Sequence, residues 1–195
     1  MSHYFTKKQT GDWNAKEIES YLRGNKLKFI TTSGVFSKDK VDAGTEVLTN
    51  SAIVDKGWKI LDFGCGYGAV GIAIAKSCKC EVWMTDVNER AVMLAKKNAK
   101  LNDVDVKVMQ SDIFENLGEQ FNAIILNPPQ SAGKELCFKM IDESKEHLCK
   151  SGLLQIVARP AKGGKTLANK MLETFGNMKE IAKRNGYKVY VSMRN

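Results

Sequence analysis

Short apolar runs alternate with amphipathic stretches along most of this chain, and the alternation predicts strands and helices in turn. Trp58–Phe63, Cys80–Thr85 and Val106–Gln110 are strand-length apolar runs, and Phe121–Leu126 has the composition of a buried strand. Ala69–Lys76 is apolar and helix-friendly, and the residues after Asp86 and Asn88 read as a further helix. Over Gly133–Lys150 the apolar stripe Leu136, Met140, Ile141 and Leu148 stands against Glu135, Lys139, Asp142, Glu143, Lys145 and Glu146, the pattern of an amphipathic helix. Leu153–Ala158 predicts a strand and Thr166–Phe175 a helix. Lys179–Lys183 and Tyr187–Met193 predict two strands around the hairpin signal Asn185-Gly186. Toward the N-terminus, Ala15–Arg23 reads as a helix followed by extended pieces. There are no internal repeats or long linkers, and strands alternating with helices point to an α/β fold.

Asn127-Pro128-Pro129-Gln130 follows the buried strand directly. Each proline fixes φ near −65° and removes a backbone donor, and each restricts the residue before it. The result is a stiff carbonyl and a side-chain carboxamide oxygen directed into one space, two acceptors suited to a planar amino group. A plain proline turn ending a strand is the alternative, and the rest of the chain bears on the choice.

Glycines 64, 66 and 68 follow the strand Trp58–Phe63 and precede a helix, so the backbone can approach a ligand closely. The spacing from Gly66 through Gly68 to Gly71 fits the dinucleotide fingerprint, which leaves NAD open at this point. Asp62, one residue before Phe63 and the turn, would repel a pyrophosphate and instead suits a cationic or amine-bearing ligand such as S-adenosylmethionine. Asp86 lies about twenty positions beyond the turn, where a carboxylate accepts from a ribose diol. Asn88 is placed to cap the next helix. Ser111-Asp112-Ile113 combines a carboxylate for an adenine amino group with an aliphatic side chain for its ring. Cys65 reads as a small residue beside the ligand, not as a nucleophile.

With these residues in hand, the chain resembles the class I S-adenosylmethionine-dependent methyltransferases, whose Asn-Pro-Pro subgroup methylates adenine N6, guanine N2 or glutamine amides. His3-Tyr4-Phe5, Ser33-Gly34-Val35-Phe36-Ser37, Asp42-x-Gly44-Thr45 and Leu48 extend the likeness to the ribosomal RNA small-subunit methyltransferase C family. The chain is similar to a single-domain, archaeal-type member without the additional N-terminal domain of longer bacterial ones. The resemblance implies a Rossmann-like, seven-stranded, mostly parallel sheet with helices on both faces and an antiparallel last strand. It implies one methyltransferase domain over residues 1–195, with 1–50 covering cofactor and base and 51–195 forming the core. S-adenosylmethionine would be held by Asp62, Gly64, Cys65, Gly66, Gly68, Asp86, Val87, Ser111, Asp112, Ile113 and Asn127. Transfer would be carried by Asn127, Pro128, Pro129 and Gln130. Gln130 stands where relatives carry an aromatic ring, so Phe36 or Tyr4 is expected to supply base stacking, with Gln130 also touching the base.

Composition narrows the partners. The net charge is +8, and Lys7-Lys8, Arg23–Lys28, Lys38–Lys40, Lys162–Lys165 and Lys179–Lys188 concentrate basic residues. RNA, ribosomal RNA first, is the expected partner. An odd set of five cysteines without a Cys-x-x-Cys pair, beside two histidines, indicates neither a zinc site nor a disulfide framework and suits the cytoplasm. No apolar run reaches membrane-spanning length, and oligomeric state is not readable. Adenine N6 or a protein glutamine as acceptor, and a non-catalytic RNA-binding scaffold, remain the competing readings; an NAD-dependent oxidoreductase is more distant.

Overall fold

The central strands of this fold are apolar on both faces, so neither face can meet water and each needs a layer of helices. The computed structural model describes residues 14–195. In chain order the elements are β1 (Lys16–Leu22), β2 (Asn25–Thr31), α1 (Ala43–Ser51), β3 (Lys59–Phe63), α2 (Ala69–Ser77), β4 (Glu81–Asp86), α3 (Glu89–Leu101), β5 (Lys107–Gln110), β6 (Phe121–Leu126), α4 (Lys134–Glu146), β7 (Leu148–Ala158), α5 (Gly164–Phe175), β8 (Lys179–Arg184) and β9 (Tyr187–Met193). Seven strands form one sheet in the order β5-β4-β3-β6-β7-β9-β8. The pairs from β5 to β7 are parallel, and β9 runs antiparallel to both of its neighbours.

Strand alternation sorts the side chains into two cores. Ile60 and Ile125 pack with Leu48 of α1, Ile72 of α2 and Leu94 of α3 on one face. Leu61, Ile124 and Leu126 pack with Met140 of α4 and Met171 of α5 on the other. Each fully buried side chain of this size stabilises the fold by about 1.5–3 kcal/mol relative to exposure. The expected sheet, with helices on both faces, is therefore present.

Two expectations fail locally. The segment read as a helix over Ala15–Arg23 is strand β1, paired antiparallel with β2 from Lys16↔Thr31 to Leu22↔Asn25. Its buried anchors Ile18 and Leu22 lie four residues apart, a spacing that serves a helix face and a strand face equally. Arg23 and Gly24 decide the matter, since both take left-handed φ, 47° and 79°, as a two-residue hairpin turn requires. The helix predicted to run to Lys150 stops at Glu146, and β7 begins at Leu148, five residues before the predicted strand start at Leu153. A register shift against β6 between Phe121 and Ala123, with Ser151 at φ 62°, bends this early part of β7 and hides the strand period.

β2 has an open edge, which α3 satisfies with side chains. Asn98 accepts from Ile30 N–H at 2.7 Å and donates to the carbonyls of Ile30 at 3.0 Å and Tyr67 at 2.9 Å. Asn102 accepts from Lys28 N–H at 3.0 Å and donates to Lys28 carbonyl at 2.7 Å. The two carboxamides imitate a strand partner, and they hold the hairpin against the glycine turn. Among the described residues no helix is long and apolar enough to cross a membrane.

Asn98→Ala strands three backbone groups at once, so it should lower unfolding free energy by about 2–3 kcal/mol. Urea unfolding measures this, and an unchanged midpoint would refute the edge-capping role.

Candidate active site

Because β3, β4 and β6 are adjacent and parallel, their carboxyl ends open at a single edge, where α/β sheets bind ligands. A cavity of about 380 Å³ occupies that edge. Its wall brings together Phe36, Asp62, Gly64, Cys65, Gly66, Asp86, Val87, Ser111, Asp112, Ile113, Asn127, Pro128 and Pro129, residues singled out from sequence and spread over almost a hundred positions of the chain.

The glycine turn is built by the two carboxylates. Asp62 is buried, and its Oδ2 accepts from Gly71 N–H at 2.8 Å in the first turn of α2. Gly71 is required there, since a Cβ would lie 2.4 Å from Met84 Sδ and 3.1 Å from Asp62 Oδ2. Asp86 spans two elements: Oδ2 accepts from Gly66 N–H and Oδ1 from Asn88 N–H, both at 2.9 Å. Gly64 and Gly66 adopt φ 70° and 56°, and a Cβ on either would meet nothing within 4 Å. Their missing side chains open space toward the cavity. Gly68 is different: it caps α2 at φ 94°, does not line the cavity, and a Cβ there would press on Ile72 and Met84. Cys65 is buried, and burial first, then Asp62 and Asp86, push its thiol well above the ordinary range, which keeps it neutral and unreactive.

Ile113 closes the far end at φ 50°, an unusual conformation for a β-branched residue and one met at ligand sites. Next to it Ser111 Oγ accepts from Asn116 N–H at 3.3 Å, which orders the loop after β5. The near side is the segment between β2 and α1. Asn88 caps α3 and donates to Gly34 carbonyl at 3.1 Å, while Arg90 donates to Ser33 carbonyl at 2.8 Å. These bonds pin Val35 and Phe36 over the cavity, with Phe36 39% exposed at its mouth.

Asn127 has a fixed orientation. Its Nδ2 donates to Thr45 Oγ1 at 3.0 Å, so the carboxamide oxygen is the end left for a ligand. Pro129, at φ −74° and ψ 73°, centres an inverse γ-turn in which Gln130 N–H donates to Pro128 carbonyl at 2.8 Å. One lone pair of that carbonyl is thus engaged and one remains. Gln130, expected against the base, is absent from the cavity wall, and its Nε2 is buried with no partner among the described residues. Tyr4 lies outside the described residues.

Thr45, which bonds Asn127 and lines the cavity, is a site residue that no single position signals; its sign in the chain is the motif Asp42-x-Gly44-Thr45 at a helix start. Asp42 caps α1 by accepting from Gly44 N–H at 2.8 Å and Thr45 N–H at 3.2 Å, and this aims Thr45 at Asn127. Among the described residues no group of three or more His, Cys, Asp or Glu could hold a metal ion, and the cysteines are free.

A family model described as "Methyltransferase small domain" matches residues 26–191. An uncharacterized protein, YbxB, of Bacillus subtilis is 38% identical over 192 residues, 95% of this chain and 94% of that protein. It is bacterial, so the archaeal-type affinity expected from the sequence finds no support. The ribosomal RNA small subunit methyltransferase C of Hamiltonella defensa is 32% identical over 181 residues, 89% of this chain but 53% of that protein. The chain thus spans about half the length of such relatives. Among solved structures, the 16S rRNA N2 methyltransferase of T. thermophilus, in complex with AdoMet and guanosine, superposes with a TM-score of 0.85. It is 23% identical and covers 95% of this chain and 52% of that one, a likeness of fold. A methyltransferase from Pyrococcus furiosus follows at 0.69, with 21% identity over 76% of this chain and 80% of that one.

Burial, with a smaller push from Asp86, lifts the Asp62 carboxyl to about 7 against the opposing Gly71 N–H. Burial likewise lifts Asp86 to about 6 against its backbone donors. An acid raised on folding takes up its proton in the folded chain first, so without ligand its contribution to stability falls as pH rises from about 4 toward 7. Asp62→Asn keeps an acceptor for Gly71 and removes this loss. Thermal melts should show the variant gaining on the wild type across that window and levelling above it; a constant difference would contradict the assignment.

Proposed function

The chain belongs to the methyltransferase small domain family, and on that premise we propose that it transfers methyl from S-adenosylmethionine to the exocyclic amino group of an RNA base, guanine N2 of ribosomal RNA first. The observation that carries this reading is the Thr45–Asn127 hydrogen bond, which turns the carboxamide oxygen into a fixed acceptor at the mouth of the cavity.

The residues present fit the cofactor. The Gly64 and Gly66 turn leaves room for a close approach, and Asp62 retains a carboxylate oxygen for the ligand's cationic amine. Asp86, already braced by Gly66 and Asn88, keeps acceptor capacity for a ribose diol. Asp112 and Ile113 take the adenine, and Val87 and Cys65 close the wall around the nucleoside. Bound there, S-adenosylmethionine supplies an electrophilic methyl group.

The acceptor nitrogen is a poor nucleophile because its lone pair is delocalised into the ring. Asn127 Oδ1 and the free lone pair of Pro128 carbonyl accept hydrogen bonds from its two N–H bonds and hold it toward the methyl. Most of the acceleration then comes from positioning at attack distance. No strong base is needed, since the nitrogen becomes acidic once alkylated and gives up one proton to water. With Gln130 away from the cavity wall, Phe36 is the platform on which the base stacks.

The net charge of +8 favours a polyanionic acceptor over a protein. The relatives named as small-subunit ribosomal RNA methyltransferases support guanine N2 among the amino acceptors. Two cores on one sheet support reading the chain as a single methyltransferase domain, and a ribosomal RNA substrate would put it in the cytoplasm. Labelled S-adenosylmethionine offered with unmodified ribosomal RNA, transfer RNA and protein tests the substrate. Label should appear in N2-methylguanosine after digestion. Label in N6-methyladenosine or in protein would replace the substrate, and RNA binding without any transfer would make the chain a scaffold.

Thr45→Val leaves the carboxamide free to turn, and kcat should fall about ten- to a hundredfold, with Thr45→Ser restoring most of it. Equal losses in both variants would deny Thr45 its orienting role. Phe36→Ala should raise KM for RNA about tenfold, given roughly 1–3 kcal/mol for base stacking, and leave cofactor affinity unchanged. An unaltered KM would rule Phe36 out.

A further inference from the structure

β7 leaves the sheet at the same edge as β6, since Leu126 pairs with Ile156 in parallel register. The first residue beyond β7 is Arg159, so its place is level with the Asn127-Pro128-Pro129 turn. Its guanidinium lies 4.4 Å from the ring centre of Tyr187. Tyr187 donates to Asp42 Oδ1 at 3.1 Å, and Asp42 caps the helix whose Thr45 holds Asn127. A continuous line of contacts therefore ties this arginine to the proposed catalytic carboxamide.

Arg159 has unmet bonding capacity. Its guanidinium also hydrogen-bonds the Tyr187 side chain, while its Nε is buried without an acceptor among the described residues. The charge is held in place by the turn that follows. Lys162 N–H and Gly164 N–H both donate to Arg159 carbonyl, at 2.9 and 3.0 Å. A Cβ on Gly164 would come within 2.7 Å of that carbonyl, so the turn closes this tightly only with glycine. The same turn carries Lys162, and Lys165 follows in the first turn of α5; both are exposed. A planar guanidinium packed on an aromatic ring, with its Nε unpaired and two exposed lysines close by in the chain, matches a phosphodiester.

We propose that Arg159, Lys162 and Lys165 form a phosphodiester site that grips the RNA backbone next to the nucleotide held by Asn127. The site rests on the RNA reading above and adds what that reading lacks, a feature that fixes the strand while one base enters the cavity. It also gives Gly44 a reason. A Cβ there would meet the Tyr187 ring at 2.6 Å and displace the platform beneath the arginine.

The test measures affinity of the full chain for a labelled unmodified RNA over a series of salt concentrations. The proteins are the wild type, Arg159→Gln, and the double variant Lys162→Gln with Lys165→Gln. Each lost phosphate contact should flatten the plot of log affinity against log salt by about 0.7. Arg159→Gln should weaken RNA binding about tenfold while S-adenosylmethionine affinity, read by calorimetry, stays within about twofold. The double variant alters exposed side chains, so its flattened slope reads the site without disturbing the fold. Millimolar inorganic phosphate should displace little RNA; full displacement would mean a site for the free anion and would overturn the proposal. Wild-type slopes retained by both variants would remove the site and leave RNA as substrate. A wild type with no affinity for RNA would remove the substrate reading and the site together.

Discussion

Everything at the candidate site follows from two carboxylates held out of water at the ends of neighbouring parallel strands. Asp62 and Asp86 each accept backbone hydrogen bonds, which favour the charged form. Bonds of this kind contribute about 1.5–3 kcal/mol each. Burial nevertheless wins, because both acids end above their ordinary values, near 7 and 6. The edge of the sheet is therefore short of positive charge. A ligand that carries cations and hydroxyl donors relieves this deficit, whereas a pyrophosphate would deepen it. The same two acids shape the turn between them, since Asp62 fixes the start of α2 and Asp86 clasps Gly66. Electrostatics and backbone geometry are one arrangement here.

The second half of the site is assembled over longer distances. The cap of α1 joins segments far apart in sequence: Asp42 holds Thr45 in place and receives Tyr187, and Thr45 orients Asn127. Each link is ordinary, a cap, a phenol bonded to a carboxylate, an amide bonded to a hydroxyl. Together they fix which end of one carboxamide faces the cavity, and that orientation separates an acceptor for an amino group from a donor that would repel it. The segment between β2 and α1 is held as firmly by Asn88 and Arg90, so Phe36 reaches the mouth through defined bonds.

Much of this was legible in the chain because the signals are local. A strand followed by glycines, an acid at a strand end and two successive prolines each carry their backbone consequence in adjacent residues. The seven-stranded, mostly parallel sheet and its antiparallel last strand followed from strand and helix alternation together with a family resemblance. What could not be read locally was decided by distant partners. β1 passed for a helix because Ile18 and Leu22 fit either period, and its true partner is β2 backed by α3. The start of β7 was hidden by a bulge whose cause is its register against β6. Gln130, adjacent to the prolines, was expected in the pocket, but the inverse γ-turn at Pro129 carries it off the wall. Thr45 was legible only as part of a helix-start motif, because the partner it meets lies 82 positions away.

The carboxamide at the end of β6 is placed chiefly to orient the reacting nitrogen and adds little to the cofactor's hold. Replacing Asn127 by alanine and measuring S-adenosylmethionine affinity and methyl transfer side by side tests it directly. Transfer should fall by at least about a hundredfold, with cofactor affinity changed little. Transfer at the wild-type rate in this variant would contradict that role.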